Sequence, residues 1–205
     1  MLYTPEERAL MEQAQQPNMR KWDIRTEPFE AIVNTELTAI QFEGSRVLDL
    51  GPGHYDFLDI VSARGAIETV GVDFDPIIVE LGSLRGHISW LANFREGWPA
   101  HSEMFDGVFC RGSINIFWFD LEALEDFLEG LTSSLNDGAW LWIAPWNRPT
   151  EAQERRGVPG DHRRLVDRWA EANDVEIVHP DEMRRRELGI NYGIPSVEVW
   201  RRSSA

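Results

Sequence analysis

Apolar positions along the chain fall into two alternating patterns. The segments RVLDL (46–50), ETVGV (68–72), HISWL (87–91), GVFC (107–110) and AWLWIA (139–144) are short and apolar-rich, and turn residues bound them. Such runs read as strands, the first of them buried. Between them lie stretches whose apolar residues recur three and four apart, which predict helices over 55–64, 76–84 and 121–135. The last of these places Leu121, Leu124, Phe127, Leu128, Leu131 and Leu135 on one side. Asp75 and Pro76 open the second as N-cap and first helical residue, and Asn136-Asp137-Gly138 reads as a turn after the third. Before this series come two predicted helices, 4–16 and 26–41, separated by the breaker Gln16-Pro17-Asn18. After it come a helix over 161–172 and strands over 175–179 and 197–201.

Strand–helix alternation with short loops implies parallel strands joined by right-handed crossovers. The expected fold is α/β: a doubly wound, mostly parallel, seven-stranded Rossmann-like sheet with an antiparallel C-terminal strand pair at its edge. The expected organisation is a segment of N-terminal helices, 1–43, serving as a substrate cap or docking segment, and one domain, 44–205.

Charge narrows the partners. The 205 residues carry 35 acids against 20 bases, a net −15, and Lys21 is the only lysine. Residues 1–147 hold 24 acids and 9 bases, whereas 148–205 hold 11 of each. A nucleic-acid backbone or an anionic membrane surface needs clustered cations, so neither is the expected partner. A small anionic acceptor is compatible with the arginine-rich tail, and a homodimer with the rest. Cys110, the only cysteine, excludes an intrachain disulfide and a thiolate zinc site within one chain, and no metal is expected. The start MLYTPEERAL has acids where a signal peptide carries bases, and no apolar run reaches the roughly 20 residues of a membrane helix. A cytoplasmic protein is expected.

In an open parallel sheet, ligands bind beyond the carboxyl ends of the strands. The first strand ends in Asp49-Leu50-Gly51-Pro52-Gly53-His54-Tyr55 and runs into a helix, whose free N–H groups face the same place. The second strand ends in Gly71-Val72-Asp73-Phe74, about twenty residues beyond that loop, the spacing of a carboxylate that binds a ribose. Asp75 suits the helix cap, which leaves Asp73 for the ribose and Phe74 for the face of an adenine. A dinucleotide fingerprint needs a third loop glycine near the pyrophosphate, and Tyr55 and Asp56 stand there instead. With Asp49 and Asp56 at the loop, the local charge favours a cationic nucleoside sulfonium, S-adenosyl-L-methionine, over NAD.

Four segments in series then resemble the class I S-adenosylmethionine-dependent methyltransferases, small-molecule enzymes of the bacterial type: VLDLGPGHYDFL, TVGVDFDP, EMFDGVFCRGSINIF and LEGLTSSLNDGAWLWIAPW. The resemblance covers about residues 40–147 and makes 44–205 a methyltransferase-like domain. It implies that Asp49, Gly51 and Gly53 line the methionine end of the cofactor, that Asp73 binds the ribose and that Phe74 lies on the adenine. It places Asn93 beside the adenine amine, and Cys110 and Arg111 where the backbone passes the methionine portion.

Methyl transfer needs alignment and, for some acceptors, a base. His54 in the cofactor loop and His101 before the fourth strand are the candidate bases, with Asn115 a third candidate catalytic residue. Trp118 and Tyr192 are candidate acceptor contacts, and Asp120 is a helix cap. A Pro-Pro-Tyr run after the fourth strand, the mark of amino-group methylation of DNA or glutamine, is replaced by Arg111-Gly112-Ser113. The expected activity is methyl transfer to a small-molecule or glycan- or lipid-precursor acceptor. The alternative is a non-catalytic methyltransferase-like binding or scaffold subunit. An oxidoreductase is disfavoured by Tyr55 and Asp56.

Overall fold

The computed structural model describes residues 3–15, 27–99, 103–144, 146, 151–157, 159–178 and 198–202. They form two compact units that divide between Ala92 and Asn93.

The first unit holds three parallel strands in the order β3-β2-β1. These are β1 (Arg46–Leu50), β2 (Glu68–Asp73) and β3 (Ile88–Leu91), with Asp49 level with Gly71 and Asp73 level with Leu91. Val47, Leu48, Leu50, Val70 and Val72 are fully buried. Strands covered on both faces read as unbroken apolar runs, which is why β1 and β2 were visible in the sequence. Helix α1 (Pro5–Met11) starts with a full capping box between Thr4 and Glu7 and packs on α4 (Pro76–Leu84). Helix α2 (Glu27–Thr35) packs on α3 (Asp56–Ala63). Both N-terminal helices are shorter than the expected 4–16 and 26–41. Lys21 and the breaker around Pro17 lie outside the described residues.

The second unit has the strand order β4-β5-β7-β6. β4 (Phe105–Arg111) and β5 (Leu135–Ala144) run parallel, and Phe109 stacks on Trp142 with centroids 4.7 Å apart. Residues 136–138 do not form a separate turn. They are taken up inside β5 as a register shift opposite Phe105–Gly107, with Gly138 at φ +77°. A 3-10 turn, Ile116–Trp118, and α5 (Leu121–Ser133) follow β4; α6 (Glu151–Arg155) and α7 (Pro159–Ala172) precede β6 (Val175–Val178) and β7 (Glu198–Arg202).

The C-terminal strands β6 and β7 do pair antiparallel; what the sequence left open is which of them runs against β5. Strand β7 lies between β5 and β6 and runs against both, so β6 keeps the direction of β5 and one strand alone is reversed. The cause is α7, whose buried Leu165, Val166 and Trp169 make it a full crossover helix. Such a crossover delivers β6 parallel to β5 at a distance that leaves room for one returning strand. No helix among the described residues is long and apolar enough to cross a membrane.

Candidate cofactor site

In the first unit, β1 ends in the glycine loop. Gly51 and Gly53 adopt φ +76° and +55°, a region that costs a glycine nothing, and Gly51 N–H donates to the Val72 carbonyl at 2.8 Å. That bond ties the loop to the end of β2. Tyr55, at φ +64°, is the N-cap of α3, with no side-chain hydrogen bond to the helix. It thus takes the left-handed conformation that a third glycine would take. Its ring leaves the loop and is fully buried, stacked on His87 at 5.3 Å, with its hydroxyl donating to Ser89 Oγ at 3.1 Å. The bulk that replaces the glycine therefore fills the core.

Two acids sit at the ends of neighbouring strands. Asp49 on β1 and Asp73 on β2 are 2% and 4% exposed. Burial pushes the Asp49 carboxyl well above its ordinary range, and the charge of Asp73 adds to the shift. Burial pushes Asp73 up to about 6, against the N–H donors of Asp75 and Phe74. Asp75 N–H donates to Asp73 Oδ1 at 2.9 Å. Asp75 Oδ1 caps α4 through Ile77 N–H at 3.0 Å, as the sequence implied. Phe74 is 51% exposed, so it presents a free aromatic surface beside Asp73. A buried carboxyl pair with elevated proton affinity is a site that a cation would relieve. Gly51 and Gly53 beside it put no Cβ in the way of a ligand approaching the backbone. These residues fit a ligand with a sulfonium, an ammonium and a ribose.

His54 belongs to the same loop. Its side chain is buried, with its ring 5.5 Å from that of Tyr3 and tilted by 38°. Asp56, read from sequence as a wall against pyrophosphate, is turned inward: it accepts from the Tyr3 hydroxyl at 3.0 Å and faces Arg85 at 3.6 Å. Burial raises its pKa to about 6, and the Arg85 charge opposes the shift. Arg85 also pairs with Asp59, which in turn meets His87 Nε2 at 2.9 Å; His87 Nδ1 lies 2.8 Å from Thr69 Oγ1. Sequence reasoning picked out Asp56 but none of its partners in this polar cluster. The one available signal was a lone arginine, Arg85, just after an apolar helix.

The second unit carries the remaining described candidates. Asn93 is half-buried; its amide donates to Glu96 and accepts from Arg95 N–H. Arg111 ends β4, and Cys110 beside it is fully buried. Asn115 Oδ1 caps the 3-10 turn by accepting from Phe117 N–H at 3.0 Å. Gln153 donates to the Phe117 carbonyl and His162 Nε2 lies 3.0 Å from the Phe119 carbonyl. Phe117 and Phe119 are buried and Trp118 between them is 47% exposed, with Arg95 5.5 Å from its ring centre. Asp120 caps α5 through Ala123 N–H. His101 and Tyr192 lie outside the described residues.

A family described as a methyltransferase domain matches residues 22–189. The chain belongs to that family. It is a class I S-adenosylmethionine-dependent methyltransferase, and S-adenosyl-L-methionine is the cofactor of such enzymes. Solved structures share the α/β Rossmann-like fold with its parallel sheet. S-adenosylmethionine-bound CalS10, an amino pentose methyltransferase from Micromonospora echinaspora, is 15% identical over 99% of this chain and 98% of that one, with a TM-score of 0.64. The plantazolicin methyltransferase BpumL, bound to S-adenosylhomocysteine, is 13% identical over 98% and 96%, with a TM-score of 0.58. The N-methyltransferase NodS from Bradyrhizobium japonicum WM9 is 16% identical over 86% and 98%, with a TM-score of 0.53. At these identities the likeness is one of fold. Comparison with curated proteins returned no match.

Proposed function

We propose that this methyltransferase acts on a small-molecule acceptor and holds its cofactor with Asp49, Gly51, Gly53, Asp73 and Phe74. The carrying observation is the pair of buried acids, Asp49 and Asp73, at the ends of β1 and β2, beside a glycine loop from which Tyr55 turns its ring into the core. When bound, the cofactor supplies a methyl carbon on a cationic sulfur. Asp73, ionised, accepts the ribose hydroxyls; its Asp75 and Phe74 N–H partners hold the carboxylate in place. Asp49 offsets the positive charge of the methionine end. Phe74 covers one face of the adenine.

Trp118 and Tyr192 are the proposed acceptor contacts, and His54, His101 and Asn115 the proposed catalytic residues, of which only the histidines can take a proton. The net charge of −15 supports a small acceptor over a nucleic acid. Tyr55, whose bulk would favour a non-catalytic subunit if it filled the loop, is a core residue and so gives that alternative no support.

The test is calorimetry with S-adenosylmethionine, S-adenosylhomocysteine and NAD. Binding of both sulfur nucleosides and not of NAD is expected, and Asp73→Ala should weaken it roughly 10- to 100-fold, the loss of a charge-assisted hydrogen-bond pair. Absence of binding by either sulfur nucleoside overturns the reading.

A further inference from the structure

Arg85 lies outside every motif, at the C-cap of α4, and its side chain is 4% exposed. Its Nη1 donates to the His54 carbonyl at 2.5 Å. Its Nη2 pairs with Asp59 in the first turn of α3 and lies 3.6 Å from Asp56 Oδ1. Its Nε is 3.6 Å from Glu7 Oε1 of α1, and its guanidinium carbon lies 5.3 Å from the centre of the Tyr3 ring. The carbonyl it holds belongs to the peptide that joins His54 to Tyr55, and Tyr55 is the non-glycine residue at φ +64°. A charged donor on that carbonyl stabilises a backbone conformation a tyrosine does not adopt freely. A planar fork reaches a carbonyl and three carboxylates from several sides, which an ammonium cannot.

The N-terminal segment is tied in at both ends. Near its start, Glu7 and Tyr3 meet Arg85, and the Tyr3 hydroxyl donates to Asp56. At its far end, Gln15 N–H donates to Asp75 Oδ2 at 2.8 Å, and Asp75 N–H in turn donates to Asp73. One segment, residues 3–15, thus touches the supports of both cofactor loops.

We propose that Arg85 is a positioning residue for cofactor binding, and that through it the shape of the glycine loop depends on the seating of residues 3–15. The inference rests on the cofactor-site reading above. By reciprocity of linkage, if the seated segment favours the cofactor-binding shape, the bound cofactor must favour the seated segment.

The experiment uses the full chain with S-adenosylhomocysteine as the probe, so that no acceptor is needed. Calorimetry gives the affinity, and hydrogen exchange of the amides in 5–15 gives the seating. In the unaltered protein the probe is expected to slow exchange there by about threefold or more. Arg85→Lys should weaken the probe by about tenfold and abolish the slowing. Where Arg85→Lys does not fold, Tyr3→Phe and Glu7→Gln carry the test, since neither residue belongs to the loop. Each should weaken the probe by about two- to fivefold and reduce the slowing. Probe affinity within twofold of the unaltered protein in these two variants, even with a lowered melting temperature, shows a merely structural role and overturns the proposal. Absence of probe binding by the unaltered protein overturns the site reading and this inference with it. Normal binding by the unaltered protein and both variants overturns this inference alone.

Discussion

The Tyr55 ring occupies the space that a side chain on Gly71 would need: a Cβ on Gly71 would lie 2.4 Å from Tyr55 Cε1. Gly82 on α4 stands in the same relation, with a Cβ 2.1 Å from Tyr55 Cζ. The two glycines open a slot between β2 and α4, and the residue that replaces the third loop glycine fills it.

This packing predicts an asymmetric response. Gly71→Ala should destabilise by about 3 kcal/mol, because ring and strand have no room to part. Tyr55→Phe should cost about 1 kcal/mol, the worth of the hydrogen bond to Ser89. Thermal unfolding measures both. A melting temperature for Gly71→Ala equal to that of the unaltered protein would falsify the slot.

Stability should depend on pH with a definite sign. Asp56 and Asp73 titrate near 6 in the folded chain against an ordinary value of 3.8. Their folded-state pKa values are raised, so between those limits the folded chain binds more protons than the unfolded one. Their contribution is full below about pH 3.8 and is lost as pH rises through about 6. Urea unfolding at pH 5 and pH 7 should therefore show Asp73→Asn losing less stability over that interval than the unaltered protein does.

Cofactor binding should expel protons. A cation beside Asp49 and Asp73 favours their ionised forms, whereas neutral S-adenosylhomocysteine lacks the sulfonium charge. Near pH 6, calorimetry in buffers of different ionisation enthalpy should show S-adenosylmethionine releasing more protons than its demethylated product, by up to about one. Equal proton counts for the two would remove the acids from the sulfonium's vicinity.

Phe74 separates ligand contact from packing. At 51% exposure it contributes little to the core, so Phe74→Ala should leave the melting temperature nearly unchanged. S-adenosylhomocysteine affinity should fall roughly 3- to 10-fold, the range of one aromatic stack. A large stability loss with intact affinity would reverse that assignment.

Much of the site was legible because its chemistry is local. Gly51 and Gly53 were readable because positive φ over two residues of three almost demands glycine. Asp73 was readable by its place at a strand end, and Asp75 by the cap-and-proline signature ahead of α4. The direction of the Tyr55 side chain was not readable. The same residue narrows a loop or fills a core according to what lies beyond it, here Gly71 and Gly82, sixteen and more residues away. Asn115 likewise carries a cap bond visible only once the turn it starts is placed, whereas Asp120 was readable as the cap ahead of α5.

The sequence by itself determined the alternation of strands and helices, the glycine loop, and the acids at the ends of β1 and β2. Each of these follows from a residue's own backbone preference or from burial of a short run. Tertiary structure alone decided that β7 enters between β5 and β6, that Tyr55 lies in the core, and that Arg85 joins Tyr3, Glu7, His54, Asp56 and Asp59. A buried cation takes whichever acids the fold brings within reach, and that proximity, set by strand order and helix docking, leaves no periodic trace along the chain.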